Sequence, residues 1–249
     1  MVVNRALLIG LLLLLGGCAT VPQSSRDPAD PWESYNRTVF KFNDAVDKAV
    51  LKPVARGYQK ITPDMVETGV SNFFSNLSDL GVSLNNLLQG EPRRAGSDLL
   101  RFVLNSTFGL VGVIDVASSL GLEKHAEDFG QTMAVWGVPS GPYFVIPFYG
   151  PSTIRDTAGF GVDLITHYPW RYLDDRVTRY VLTTLSVINL RSEVLQLEDL
   201  VGIEFYDRYA STRDAWLQYR EAQIKNGDVA NSEEDDEEMI RELEELDEQ

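Results

Sequence analysis

His125 and His167 are the chain's only histidines and Cys18 is its only cysteine, and nucleophilic, acid–base and metal chemistry at neutral pH draws on these residue types first. The histidines lie far apart and neither belongs to an H-E-x-x-H pair. The chain also lacks G-x-S-x-G, a Walker glycine-lysine loop and C-x-x-C. His125 with Glu127 and Asp128 could be drawn as a metal site, but three polar residues in a loop are more often a solvated turn. Asp174 and Asp175 could be drawn as a hydrolytic carboxylate pair, yet nothing places them in a cleft. The sequence therefore predicts no catalytic residue, no metal and no cofactor.

Cys18 has a legible context of another kind. Arg5 supplies a positive start, Ala6 to Leu15 an apolar run, and small residues follow. That run is shorter than the roughly 20 residues a membrane span needs, so it is a secretory signal. Its end, Leu15-Gly16-Gly17-Cys18, resembles the bacterial lipobox, in which the signal is cut before a cysteine that carries lipid. Ala19 follows where an inner-membrane retention signal would place Asp, and by resemblance to lipoprotein sorting this points to the outer membrane. A single cysteine also excludes an intramolecular disulfide.

The formal net charge of −15 is concentrated at the C-terminus: the last nineteen residues hold eleven acids against Arg241 alone. Like charges at that density repel and nucleate no core, so 228–249 reads as a solvated acidic tail. No basic face suggests nucleic acid. Residues 18–29 are a polar, proline-containing tether behind the signal peptide 1–17, and the remaining 30–227 form the folded domain.

The domain reads as mainly α-helical. Asp30-Pro31-Trp32-Glu33 is a helix start with Asp30 as cap, followed by an apolar stripe of Trp32, Tyr35, Val39, Phe42 and Val46 that ends before Lys52-Pro53. Phe40 lies off that stripe and is expected to be exposed. Thr62-Pro63-Asp64 opens another helix, Gly90 closes a later one, and Glu91-Pro92 launches the next. Helical periodicity returns in 172–187, 193–201 and 206–224.

Two apolar stretches break this pattern. Residues 102–122, FVLNSTFGLVGVIDVASSLGL, have the length of a span but contain Asn105, Asp115 and three interrupting glycines. A mid-segment carboxylate in lipid costs on the order of 3 kcal/mol, so two bent pieces around Phe108-Gly109-Leu110-Val111-Gly112 fit better than a straight span. Such a hairpin is tolerable at membrane depth only where protein or a wet cavity satisfies its backbone. A core hairpin with Asp115 capping the next helix is the alternative. The second stretch, GPYFVIPFYGPSTIRD at 141–156, mixes aromatic residues with prolines and is expected to be irregular, because Pro147 lacks the N–H a central strand needs.

The strings DPWESYNRTVFKFND, NNLLQG, RFVLNSTFGLVGVIDVA, EDFGQTMAVWGV and GPYFVIPFYGPSTIRD together resemble the VacJ-like lipoprotein family, also called MlaA, over roughly residues 27 to 227. The resemblance implies an all-α, ring-like assembly of amphipathic helices lying in the outer membrane beside a trimeric porin. It implies a route by which misplaced outer-leaflet phospholipid reaches a periplasmic lipid-carrier protein. The re-entrant hairpin, with Asn105 among its residues, then becomes a gate, with Gly109 and Gly112 as hinges and Asp115 as a gate anchor or a channel-lining carboxylate. Trp136, Tyr143, Phe148 and Tyr149 suit an interfacial belt, and Arg155 either pairs with Asp156 or presents itself to a phosphate. A passive envelope scaffold with the same anchor but no lipid passage is the competing reading.

Overall fold

The computed structural model describes residues 28–201 and 207–225. Cys18, the signal peptide, most of the tether and the acidic tail lie outside these residues. Helix α1 spans Glu33–Val46 and runs through a π turn at Asp47–Leu51 into α2, Lys52–Ile61. The helix therefore does not stop before Lys52-Pro53 as the sequence suggests. Pro53 sits in the first turn of α2, and the wider π turn ahead of it absorbs the missing N–H and the ring clash.

Helix α3, Asp64–Gln89, is one continuous rod that ends at Gly90 in the left-handed conformation (φ 91°). Helix α4, Pro92–Phe108, folds back on it. The turn at 109–114 leads to the short α5, Val116–Ser119, and α6 follows at Phe129–Val135. Strands β1, Tyr143–Ile146, and β2, Gly150–Thr153, then pair antiparallel with Tyr143 opposite Thr153. Helix α7 covers Ile154–Thr166, a 3₁₀ turn Pro169–Tyr172, helix α8 Arg176–Val201 and helix α9 residues 208–225. Among the described residues no helix is long and apolar enough to cross a membrane.

The expectation that 141–156 is irregular is corrected: a β-hairpin forms there because Pro147 falls in the turn, outside both strands. Its outer edge is satisfied by side chains of α1. Asn36 donates Nδ2 to the Tyr143 carbonyl at 3.1 Å and accepts from Val145 N–H at 2.9 Å. Two turns on, Asn43 donates to the Ile146 carbonyl at 3.0 Å and accepts from Phe148 N–H at 2.8 Å. Two asparagines seven residues apart thus play the part of a third strand.

A small apolar core sits behind that contact, formed by Val39, Tyr143, Val145 and Tyr209. Phe40, expected to be exposed, packs edge-on to Tyr209 with ring centroids 5.6 Å apart, because α9 covers that side of α1. Asp30, expected to cap α1, is instead buried at its end, accepting from Asn36 Nδ2, Tyr209 Oη and Arg213.

Elsewhere the polarity of the body is reversed. Among the described residues, polar and charged side chains outnumber apolar ones in the buried set, while large apolar side chains crowd the exposed set. Helix α4 shows this residue by residue: Asp98, Arg101 and Asn105 point inward while Leu99, Leu100 and Val103 point out. On α3, Asn76, Asp79 and Asn86 are buried while Met65, Leu87 and Leu88 are exposed. Several of the buried groups pair with one another: Asn86 donates to Asp98 at 2.7 Å, and Arg101 lies between Asp79 and Asp115.

Candidate functional site

A half-open cavity of about 600 Å³ lies between these elements. Its wall is built by the Ser71–Val82 face of α3, the segment 124–128, α6, the tip and second strand of the β-hairpin, α7, the segment 167–170, α8 and α9. Phe74, Phe160, Trp170, Leu190 and Trp216 supply apolar surface, and Lys124, Glu127, Asp128, Asp163 and Glu193 supply charge. The wall is therefore amphipathic, able to hold a ligand with both an apolar and a polar part.

Close helix contact positions its charged side. Gly159 of α7 meets Gly130 of α6 so tightly that a Cβ on Gly159 would lie 2.5 Å from the Gly130 nitrogen. That approach brings Asp128 and Asp156 within reach of one guanidinium. Arg220 of α9 contacts Asp128 at 2.6 Å and Asp156 at 3.0 Å. Beside them Asp163 accepts from Phe129 N–H at 3.0 Å, and burial pushes its carboxyl up to about 7 despite that bond, with the neighbouring Asp128 adding to the effect. Burial also lowers His167, whose ring nitrogens face Thr166 Oγ1 and the Glu127 carbonyl.

The hairpin residues predicted from sequence do come together, on the opposite face of α3 from the cavity. Asn105 donates to Asp115 at 3.0 Å and accepts from Ala117 N–H at 2.9 Å, while its carbonyl accepts from Gly109 and Gly112. Asp115 caps α5 through Ser118 N–H at 3.1 Å and pairs with Arg101 at 3.0 Å. Burial works against its charge, but the bonds from Ser118, Asn105 and Arg101 outweigh it and hold the carboxyl at about 2. Asp115 is not among the residues of this cavity's wall; it caps α5 and pairs with Arg101. Gly112 has φ 90° and lies against Asn76, and a Cβ on Gly109 would meet the Ile114 carbonyl at 2.1 Å. Between these glycines Leu110 and Val111 are exposed with positive φ, a strained conformation for a β-branched residue.

The aromatic set divides. Trp136 is exposed, with its Nε1 donating to the Leu88 carbonyl at 3.0 Å. Phe148, 72% exposed, stands at the β-hairpin tip against Phe42. Tyr149 lines the cavity and tilts onto Phe160 with centroids 4.1 Å apart. Tyr143 leaves the predicted belt: at 1% exposure its ring faces Tyr209 and Trp216 in the core. Arg155 is buried against Asp156 at 3.0 Å, outside the cavity wall, so the pairing alternative is the one observed.

Sequence reasoning missed Arg220, Glu193, Asn36 and Asn43. Inward-facing asparagines recurring every seven residues in α1 were a visible signal. Arg220 carried none, because its partners lie 92 and 64 residues away. The sketched metal site dissolves: His125 faces Asp98, Glu127 accepts from Gln89, and Asp128 binds Arg220. Among the described residues no cluster of three or more potential ligands could hold a metal.

The body is mostly helical, with large apolar side chains exposed, polar groups buried and an amphipathic cavity. The family model for the MlaA lipoprotein matches residues 28–223, and the chain belongs to that family. It is 34% identical over 229 residues to the intermembrane phospholipid transport system lipoprotein MlaA of Escherichia coli, covering 89% of this chain and 88% of that one. It is 31% identical to the protein of the same description from Haemophilus influenzae, covering 93% and 95%. A solved structure described as the structural basis for maintenance of bacterial outer membrane lipid asymmetry superposes with a TM-score of 0.67 at 33% identity. That likeness covers 80% of this chain and 100% of the other.

Proposed function

We propose that this chain is an outer-membrane lipoprotein, anchored through Cys18, that draws misplaced phospholipids from the outer leaflet through its cavity. Beside a trimeric porin, it passes them to a periplasmic lipid carrier and so maintains lipid asymmetry. The observation that carries the reading is the reversed polarity of the fold around an amphipathic cavity: leucines and valines outward, carboxylates and aromatic rings inward. Exterior apolar side chains lower the cost of immersion in acyl chains, and the cavity gives a head group a polar path while the tails keep apolar contact. No bond chemistry is required.

The 109–115 turn fits a gate that acts through α3. That helix presents Ser71, Phe74 and Ser75 to the cavity. On its other side Asn72 donates to the Val113 carbonyl at 3.1 Å and Asn76 packs on Gly112. Movement of the turn would therefore shift the cavity wall, with Asn105 and Asp115 anchoring its base and the strained Leu110-Val111 tip in contact with lipid. Trp136 and Phe148 serve as exterior anchors at head-group depth.

The test is the amount of surface-exposed phospholipid in cells lacking the protein, complemented by wild type or by Cys18→Ala. Accumulation on deletion that only wild type reverses supports the anchored transporter. An unchanged outer leaflet transfers the case to the scaffold reading.

A further inference from the structure

The charges on the cavity wall are unequal, and their partners show which remain available to a ligand. Both strong cations are already engaged: Lys124 binds Asp79 and the Ser75 carbonyl, and Arg220 binds Asp128 and Asp156. Two carboxylates take hydrogen bonds from neutral donors only, with Arg94 and His125 acting on Glu127 at longer range. Glu127 accepts from Gln89 at 2.9 Å and Gln131 at 2.8 Å, and Glu193 accepts from Ser71 and from Asn189 at 2.9 Å. Among the described residues neither forms an ion pair. Carboxylates thus outnumber cations on the wall, in a space whose apolar lining weakens solvent screening.

Two further observations point to a ligand of particular charge. Phe74, Tyr149, Tyr168, Trp170, Trp216 and Tyr219 line the same cavity, and ring faces beside carboxylates attract ammonium groups. Arg220, 7% exposed and on the same wall, has an Nε–H without a partner. Burial raises the Glu127 carboxyl, and an ammonium beside it would offset that penalty.

We infer that the cavity selects phospholipids with a zwitterionic, amine-bearing head group over those with an anionic head group. An ethanolamine head brings no net charge and offers its ammonium to Glu127, Glu193 and the rings. A glycerol head brings an unbalanced negative charge to a wall that already repels it, and selectivity then rests on repulsion as much as on attraction. This inference rests on the proposed lipid passage and goes beyond it by naming the head-group class.

Photoreactive phosphatidylethanolamine and phosphatidylglycerol, offered at equal amounts in vesicles to the full-length lipoprotein, test it once the crosslinked peptides are mapped. The expected result is about tenfold more phosphatidylethanolamine on the cavity segments containing Leu190 and Trp216, against near-equal labelling of the exterior around Leu99. In the isosteric Glu127→Gln, Glu193→Gln double variant, checked for native melting, the cavity ratio is expected to fall to within about twofold of equal. Equal or reversed labelling of the cavity by wild type overturns the inference and leaves the lipid passage standing, as does an unchanged ratio in the folded double variant. Absence of both lipids from the cavity overturns the passage itself and the inference with it.

Discussion

The guanidinium of Arg101, whose side chain is 3% exposed, lies 3.0 Å from the Asp115 carboxylate and joins α4 to the start of α5 across the 109–114 turn. Removing Asp115 leaves a buried cation with only the more distant Asp79, at 3.8 Å, as counter-charge. Asp115 is itself partly solvated, so Asp115→Ala is expected to cost about 2 kcal/mol, below the roughly 3–5 typical of fully buried pairs. Denaturant unfolding of the detergent-solubilised protein measures this. The carboxyl is depressed to about 2 from 3.8, so its stabilisation is full above the unfolded value and lost as pH falls through about 2. Wild type should lose its advantage over the variant between pH 4 and 2, and a constant difference across that window would refute the pairing.

Gly112 and Gly121 both have positive φ, at 90° and 82°, but differ in surroundings. A Cβ on Gly112 would lie 2.5 Å from Asn76 Nδ2, whereas nothing lies within 4 Å of one on Gly121. Gly121→Ala is expected to cost about 1 kcal/mol from backbone strain, and Gly112→Ala about 2–3 kcal/mol because Asn76 must also move. Under the gate reading, Gly112→Pro and Asp115→Ala also raise surface-exposed phospholipid while the protein stays anchored. Normal lipid asymmetry in both strains would remove the gate assignment.

Asp163 yields a pH dependence of the opposite sign. Its folded value near 7 lies above the ordinary carboxylate range, so the stability it favours is full below about pH 4 and declines as pH rises through about 7, where the folded carboxyl is half ionised, levelling off above that. Asp163→Asn keeps an acceptor for Phe129 N–H without the charge. Wild type is therefore expected to melt progressively below the variant as pH rises from about 4 through about 7, with the gap levelling off above that. A gap that stays fixed from pH 4 to 8 would show that Asp163 is ionised throughout.

The parts of this fold written in local pattern were readable in the sequence. Gly90 ends α3, Pro92 opens α4, and the polar interruptions of 102–122 mark a bent pair of segments rather than a span. What stayed hidden depends on which side of each helix faces inward. The α1 stripe was assigned to a core, and Val39 and Tyr35 do pack there, yet Trp32 and Phe42 are exposed and Asn36 is buried. In water an apolar stripe identifies the buried face, but beside lipid it identifies the outer one, and periodicity alone does not distinguish the two solvents. The charged wall of the cavity was illegible for a different reason. Arg220 meets Asp128 and Asp156 only after α6, α7 and α9 have packed, and no local spacing encodes that meeting.

The same reversal supports the most direct test of where this body lies. Leu88 and Leu99 are exposed at 38% and 48%, on helices whose inward faces are polar. On a protein surrounded by water, replacing them with glutamate would change stability by about 0.5 kcal/mol or less. In acyl chains each introduced carboxylate instead costs on the order of 2–3 kcal/mol. The contrast is read most cleanly without the lipid anchor, because acylation alone retains a protein on a membrane. Cys18→Ser is therefore expected to remain with membranes after a high-salt wash, held by its apolar exterior. Adding Leu88→Glu and Leu99→Glu is expected to release a folded protein into the soluble fraction. Release by Cys18→Ser alone would mean that the exterior leucines do not meet lipid, and that the reversed polarity serves contact with another protein.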